Sequence, residues 1–301
     1  MIHFKSNVIL IPVDFSETSL LAIKHGAFLA QLTKGDVYLL HVINRHYEHY
    51  AVVEQPVSLE QITRLSANVT EKLNDLANEI RKQYGVTVNN LVNEGNPSVE
   101  IIKAAKEIKA SLIVMGTHGY SPLEELVIGS NALKVITKGT CPVMAMSEKA
   151  TKLGYNNILL PIDTSAHTRQ KVNYSLEIAK TFGAHLHCLG ILGSEEASEK
   201  HTMEKIIHQI EELAKEKKVI FSSEVKSDVK NRATATVSYG EKVKADLLII
   251  MTDQDAELSG FFLGPYSQQV IHLSKAPVIA LKPEDHPENI NFSILSGTSG
   301  F

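Results

Sequence analysis

Short apolar runs alternate with amphipathic helical patterns along the chain. In the first half, runs of Val, Ile and Leu without polar alternation fall near residues 7–13, 36–43, 86–92, 111–115 and 142–146. Such continuous runs are typical of parallel strands that are covered on both faces. Helical patterns of a length that suits right-handed crossovers lie between them, near residues 19–32, 59–84, 98–108 and 130–138. The pattern predicts a doubly wound α/β domain with a five-stranded parallel sheet.

The second half of the chain repeats the first. Residues 7–16 recur at 156–165 with Pro, Asp and Ser in register, and residues 135–146 recur at 270–281. Such self-similarity indicates two copies of one folding unit in tandem. The copies differ in length, because the first has a long polar stretch near residues 44–70 that the second lacks.

The repeat also predicts the domain boundaries. We expect one domain at residues 1–147 and a second at 155–283, each large enough to bury its own core. The polar segment 147–155 is the expected linker. Residues 284–301 are expected to form a C-terminal tail with little to bury.

Composition and charge narrow the classes of function. Of the 301 residues, 44% are hydrophobic and 21% are charged, which is typical of globular proteins, and the net charge of -4 argues against a general nucleic-acid binder. No apolar run approaches the roughly 20 residues of a membrane span, and the N-terminus lacks the layout of a signal peptide. Cys141 and Cys188 lie in apolar runs of different halves, which favours buried, reduced thiols and a cytoplasmic location.

Several segments converge at one edge of the predicted sheet, where ligands bind beyond the carboxyl ends of the strands. The residues placed there are Pro12, Val13 and Asp14 after the first strand, Val42 in the second, Met115, Gly116 and Gly119 around the end of the fourth, and Gly129, Ser130 and Asn131 at a helix start. Glycines let a backbone approach a ligand closely, and a helix N-terminus favours an anion. The edge is therefore a predicted site for a phosphate-bearing ligand, although turn and cap roles would also explain single residues of the set.

Two widespread phosphate-binding motifs are absent from the chain. There is no Gly, four residues, Gly-Lys-Ser/Thr run, and no Gly-x-Gly-x-x-Gly turn follows the first strand. P-loop NTPases and dinucleotide-binding enzymes are therefore excluded.

The glycine spacing is similar to that of a known family. Gly116, Gly119 and Gly129-Ser130 are separated by two and by nine residues, between an apolar strand and a final Cys141-Pro142-Val143 segment. Together with the Pro-x-Asp ending of the first strand, this resembles the ATP-binding motif of the universal stress protein family. The resemblance covers roughly residues 5–147 and 155–283, and it implies a Rossmann-like fold of the adenine nucleotide alpha hydrolase type in both halves.

The resemblance also implies a place for each part of the ligand, and ATP, with or without magnesium, is the expected cofactor. It places adenine near Val13 and Val42 over Met115, the ribose near Asp14 and Gly116, and the phosphates on Gly119, Gly129, Ser130 and Asn131. Pro12 completes the strand ending that carries Asp14.

The second copy departs from the motif. Met251 stands at the position of Gly116, Gln254 at that of Gly119 and Pro265 at that of Ser130, while Gly264 is kept and Asp253, Asp255 and Glu257 add carboxylates. Side chains at glycine positions block close approach, and carboxylates repel phosphate. We therefore expect ATP in the first domain only.

Histidines offer weaker alternatives. His41, His46 and His49 suggest a zinc site, but without a cysteine or a carboxylate pair a solvated polar loop is the favoured interpretation. His118 is the nearest candidate for a general base, and a simple loop role is favoured for it.

Three functions remain open. The leading one is a cytoplasmic stress-response protein that binds ATP in its first domain and acts through a nucleotide-dependent interaction with a protein partner. The second is a slow ATP hydrolase or phosphotransferase in which Asp14 holds magnesium, and the third is an interaction scaffold without nucleotide. Catalysis is not assigned to any residue.

The last strand of each copy predicts how the halves meet. Residues 142–146 and 277–281 are apolar on both faces and belong at a sheet edge, which proteins usually cover. Universal stress proteins pair these strands across a two-fold axis, so the resemblance implies that this chain pairs its own halves. A homodimer through other surfaces stays open.

Overall fold

The structure is a computed structural model that describes residues 7–44, 59–118, 128–165, 170–252 and 263–283, with side chains in the second helix described from residue 63 onward. The expected tail at 284–301 lies outside the described residues, as do residues 45–58 of the polar insertion in the first copy. The predicted linker at 147–155 lies wholly within them.

Strands and helices alternate through both copies. The strands are β1 Val8–Pro12, β2 Asp36–Ile43, β3 Val88–Glu94, β4 Leu112–Gly116, β5 Val143–Met146, β6 Asn157–Ile162, β7 His185–Ile191, β8 Ile220–Lys226, β9 Leu247–Met251 and β10 Val278–Leu281. The helices are α1 Glu17–Thr33, α2 Leu59–Tyr84, α3 Pro97–Glu107, α4 Ser130–Lys138, α5 Gln170–Phe182, α6 Ala197–Lys217, α7 Arg232–Lys242 and α8 Pro265–Leu273.

The strands form one sheet in the order β3-β2-β1-β4-β5-β10-β9-β6-β7-β8. Pairing is parallel within each copy, so the doubly wound α/β prediction is confirmed. In the first copy the strand order reverses between β1 and β4, and in the second between β6 and β9. Each copy therefore has a crevice at this switch point, beyond the carboxyl ends of its strands.

The two copies join through their last strands, as predicted. β5 and β10 pair antiparallel, with Met144 opposite Ile279, Val143 opposite Ala280 and Ala145 opposite Val278. The pairing is symmetric about the Met144–Ile279 pair, which are corresponding residues of the two copies, so a pseudo-two-fold axis passes between them. All residues of both strands are buried.

Two hydrophobic cores cover the two faces of the sheet, and each runs through both copies. One packs beneath α1, α2, α5 and α6, and the other beneath α3, α4, α7 and α8. Since buried residues of β5 and β10 contribute to both cores, the copies share their interior. No helix among the described residues is both long enough and apolar enough to cross a bilayer.

The linker is held against the first copy by a buried histidine. The His25 Nε2–H of α1 donates to the Ala150 carbonyl at 2.7 Å, and the Tyr155 hydroxyl lies 2.6 Å from His25 Nδ1, where it donates. His25 and Tyr155 are both buried. The linker therefore follows the protein surface at a defined place.

Buried histidines should make stability depend on pH. Burial lowers the pKa of His25, and a hydrogen bond to Ala150 opposes this only in part. Burial also lowers the pKa of His187, to about 4, with His185 acting in the same direction and Asp246 against both. The unfolded imidazole takes up a proton near pH 6.5 and the folded one at lower pH, so stability is fully present above about pH 6.5 and is lost as the pH falls towards about 4.

Urea unfolding at about pH 7.5 and about pH 5 measures this loss. His187→Gln should reduce the difference between the two free energies of unfolding, whereas His201→Gln, at an exposed site on α6, should leave it unchanged. Equal differences for His187→Gln and the parent protein would contradict the prediction.

The cysteines are unreactive by their position. Cys188 is buried in β7, and Cys141 is half-buried in the turn ahead of β5 rather than in a strand. Burial raises the pKa of both thiols to about 12. Since the thiolate is the reactive form, neither thiol is an activated nucleophile.

Candidate functional site

The crevice of the first copy lies between the ends of β1 and β4. Asp14 is exposed just beyond β1, Gly116 ends β4, and α4 begins at Ser130 on the same edge. The Thr18 hydroxyl of α1 donates to the His118 carbonyl at 2.5 Å and so ties the two walls together. The structure therefore brings the predicted segments to one place. Gly119 lies outside the described residues.

The turn from β1 to α1 is built around Asp14. Its Oδ1 accepts from the Ser16 N–H at 2.9 Å and from the Ser16 hydroxyl at 2.5 Å. Ser16 is in turn the N-cap of α1 and accepts from the Ser19 N–H. Phe15 between them has φ of 66°, a left-handed conformation that is uncommon for an aromatic residue. The carboxylate of Asp14 is thus held in place at the mouth of the crevice.

Gly116 is a glycine for a reason internal to the protein. A Cβ at this position would lie 2.8 Å from both Cβ and Oγ1 of Thr18, closer than side chains approach one another. The missing side chain lets the first turn of α1 come close to the end of β4. The contact with Thr18 therefore explains a glycine at position 116 without a ligand, and the close approach of a ligand there stays a prediction.

The start of α4 presents unpaired backbone donors. The Gly129 N–H donates to the Thr117 carbonyl at 2.8 Å, so it is used within the protein rather than directed at a ligand. Gly129 is the N-cap and has no side chain to cap the helix. The N–H groups of the first turn, from exposed Ser130 and Asn131 onward, have no intrahelical acceptor. Such N–H groups, together with the helix dipole, favour an anion at a helix start.

The expected apolar residues divide between the two cores. Val42 and Met115 pack into the core beneath α3 and α4. The Val13 side chain instead packs into the opposite core, beneath α1 and α2. The placement of adenine near Val13, which the resemblance implies, stays a prediction, and the buried side chain leaves the main chain of Val13 as the part that would face the base. Pro12 is half-buried at the end of β1.

The second copy has the same turn after its first strand, but the aspartate of this turn forms an ion pair. Asp163 Oδ1 accepts from the Ser165 N–H at 3.0 Å and from its hydroxyl at 2.7 Å, as Asp14 does with Ser16. Its Oδ2 lies 3.2 Å from the Arg232 guanidinium at the start of α7. Burial acts to raise the pKa of Asp163, but the Ser165 hydrogen bonds and the charges of Lys171 and Arg232 outweigh it and the pKa is lowered. The carboxylate is therefore already occupied by a cation of its own chain.

The start of α8 has one backbone donor fewer than the start of α4. Pro265 is the first helical residue and supplies no N–H, and the next residue, Tyr266, has its hydroxyl 3.1 Å from that of Thr236. Met251, at the position of Gly116, is buried, and its main-chain carbonyl accepts from the Ser267 hydroxyl at 2.9 Å. The loop residues Asp253, Gln254, Asp255 and Glu257 lie outside the described residues. In the described part of the second crevice Pro161, Asp163 and Gly264 are kept, whereas the other predicted positions differ, with Ile162, Ile191, Ile250, Met251, Pro265 and Tyr266.

Sequence reasoning missed two residues that shape these crevices. Arg232 corresponds to Pro97, so the alignment of the copies could have drawn attention to a charge gained beside Asp163. For His41 the sequence suggests a zinc ligand or, as the favoured interpretation, a solvated loop residue. Its Nδ1–H donates to the Val13 carbonyl at 2.7 Å, and within the described residues no group of three or more metal-ligating side chains occurs. His46 and His49 lie outside them.

Comparisons with known proteins agree with this architecture. The Universal stress protein family matches residues 5–146 and again residues 154–282. Among individual proteins, universal stress protein MJ0531 of Methanocaldococcus jannaschii is 32% identical over 140 residues, which are 46% of this chain and 81% of that protein. Universal stress protein MJ0577 of the same organism is 32% identical over 153 residues, 47% of this chain and 94% of that protein.

Solved structures extend the likeness across both halves. A universal stress protein from Archaeoglobus fulgidus superposes with a TM-score of 0.74 at 22% identity, covering 95% of this chain and 99% of the other. A second, from Pseudomonas aeruginosa, has a TM-score of 0.67 at 20% identity, with 94% and 95% covered. At these identities the structures show a shared fold, and the family match covers nearly the whole sequence. The chain belongs to the universal stress protein family and carries two of its domains in tandem.

Proposed function

We propose that the first domain binds ATP in the crevice between β1 and β4. The observation that carries the proposal is the start of α4, where Ser130 supplies a backbone N–H on the same edge as the exposed Asp14 carboxylate. Its counterpart α8 begins with a proline, and the counterpart of Asp14 is paired with Arg232. The contrast within one chain supports a site that is retained in one copy and lost in the other.

The described residues fit the parts of the nucleotide. N–H groups of Ser130 and Asn131 suit the phosphates, because a helix N-terminus stabilises negative charge. The Asp14 carboxylate suits ribose hydroxyls as an acceptor, and Val42 with Met115 offers an apolar surface for the base. Magnesium, when it accompanies ATP, partly neutralises the phosphates. The chain's own role is to bind and orient the nucleotide.

Binding rather than turnover is the proposed mode of action. We propose that the occupied and empty crevices differ in how they meet a protein partner in the cytoplasm. The Thr117 hydroxyl donates to the Met146 carbonyl, so it accepts a hydrogen bond from His118 Nδ1–H at 2.8 Å. This bond holds the His118 imidazole at the end of β4.

Incubation of purified protein with ATP and magnesium, followed by chromatography of the nucleotides, tests the hydrolase alternative. Steady release of ADP would favour the slow hydrolase.

The expected stoichiometry is one ATP per chain. Isothermal titration calorimetry should give a value near one in the presence and in the absence of magnesium, because the second crevice has Pro265 in place of the Ser130 donor and has Asp163 paired with Arg232. Asp163→Ala should leave this value and the affinity unchanged, as it alters the second crevice alone. A stoichiometry near two would show that the second domain also binds nucleotide.

A further inference from the structure

The ladder between the first two strands stops at different places in the two copies. In the first copy the pairing of β1 with β2 ends at Pro12 opposite Leu40. In the second copy the equivalent pairing of β6 with β7 continues for one more residue, to Ile162 opposite Gly190. These two residues correspond to Val13 and His41. The ladder is therefore one step shorter at the crevice that has His41.

The His41 side chain accounts for the shorter ladder. The Val13 N–H still donates to the Leu40 carbonyl at 2.8 Å. In a parallel ladder of this register, the Val13 carbonyl would accept from the N–H two residues after Leu40, which is that of Val42. It accepts instead from His41 Nδ1–H at 2.7 Å. Val13 and Val42 both belong to the described residues, and no hydrogen bond joins the Val42 N–H to the Val13 carbonyl.

The imidazole is held in this position from its other side. The ring of Phe15 lies 5.2 Å from that of His41, centroid to centroid, and Lys72 Nζ lies 5.7 Å from the centroid of Phe15. Phe15 reaches the imidazole from the turn that also fixes Asp14. In the second copy a side chain at Gly190 has no room, because a Cβ there would lie 2.9 Å from Met203. The arrangement is thus particular to the first crevice.

We propose that His41 is a positioning residue that sets base specificity. Because His41 donates to the Val13 carbonyl, the Val42 N–H at the carboxyl edge of β2 stays available as a donor for N1 of adenine. The inference rests on the proposed binding of ATP and adds to it the group that selects the base. Adenine N1 is an acceptor, whereas N1 of hypoxanthine carries a proton, so ITP would set two donors against each other. A site built to donate rejects a ligand without the matching acceptor.

The first test needs no nucleotide and uses amide hydrogen exchange of the full chain, resolved by NMR. The Val42 amide should exchange quickly in the parent protein and at least about tenfold more slowly in His41→Gly, where the ladder can extend as it does at Gly190. His41→Asn is the matched control, because its side-chain N–H can reach the Val13 carbonyl. It should exchange like the parent protein. Equal Val42 exchange in the parent protein and His41→Gly would overturn the inference.

The second test measures affinity for ATP and for ITP by calorimetry. The parent protein should prefer ATP by about tenfold or more, and His41→Gly should lose about tenfold in ATP affinity with little change for ITP. His41→Asn should keep most of the preference. A purely structural role would weaken both nucleotides alike and leave their ratio intact, which would overturn the inference. Failure of the parent protein to bind ATP would overturn the proposed function, and the exchange measurement would still decide what His41 does to the ladder.

Discussion

Replacing Val143 with proline should split the single unfolding transition of the chain into two. Val143 stands opposite Ala280 in the antiparallel pair of β5 and β10, and proline has no N–H to donate. The Ala280 carbonyl then loses a partner in a buried setting, at a cost of about 1–3 kcal/mol. Because both cores pass through this pair of strands, the two copies should no longer unfold as one unit.

The control for this substitution is Val143→Ala. Alanine removes a similar part of the buried side chain but keeps the N–H, so it should lower the midpoint of urea unfolding without separating the transitions. Val278→Pro should act like Val143→Pro, since Val278 faces Ala145 from the other copy. One cooperative transition in both proline variants, at the midpoint of Val143→Ala, would show that the strand pair does not hold the copies together.

Ser130→Pro should abolish most of the ATP affinity of the first domain while leaving α4 folded. The substitution removes one N–H at the start of the helix, and a hydrogen bond to a charged group contributes about 2 kcal/mol, or roughly thirtyfold in affinity. Proline fits the first helical position, and the preceding Gly129 already has the extended conformation that proline requires, with φ -56° and ψ 143°. Gly264 ahead of Pro265 has nearly the same angles.

Two variants separate the N–H from other effects. Ser130→Ala keeps the backbone donor and loses the hydroxyl, so it should weaken ATP less than Ser130→Pro in the same calorimetric titration. Pro265→Ser makes the reverse exchange in the second copy and should not change ATP binding, because Asp163 is still paired with Arg232 and Met251 still stands at the position of Gly116. Unchanged affinity in Ser130→Pro would mean that the phosphates do not lie at the start of α4.

The sequence predicted those features that depend on local pattern. Helix α4 begins at Ser130 and α2 spans 59–84 as expected, and the other strands and helices of the first copy lie within about two residues of their predicted positions. The pairing of the last strands was also predicted, because an edge strand has unpaired N–H and C=O groups that another strand can cover and because the family resemblance implies this pairing. Periodicity carries this information because it depends on residues that are close along the chain. The repeat adds to it because the same pattern occurs twice in the sequence.

Other features depend on contacts between distant residues and could not be predicted in this way. The Arg232–Asp163 pair, the Thr18 hydroxyl beside Gly116 and the link from His25 to Tyr155 each join residues that only the folded chain brings together. His41 shows the difficulty most clearly, because its position in β2 is predictable but its hydrogen bond depends on one rotamer. The core into which Val13 packs is hard to predict for a similar reason, since the residue lies where the strand ends and regular alternation no longer applies.

The antiparallel pairing of β5 and β10 places the two crevices at opposite ends of the strands. Strands of the first copy run in the opposite direction to those of the second, so their carboxyl ends, and with them the two crevices, open on opposite rims of one sheet. In a dimer of identical domains the two rims would be interchangeable. Here they are chemically distinct, because one rim has the N–H of Ser130 and the exposed Asp14 carboxylate, whereas the other has Pro265 and an aspartate paired with Arg232. Two fused copies with different sequences therefore present two different binding rims, which a dimer of identical domains does not.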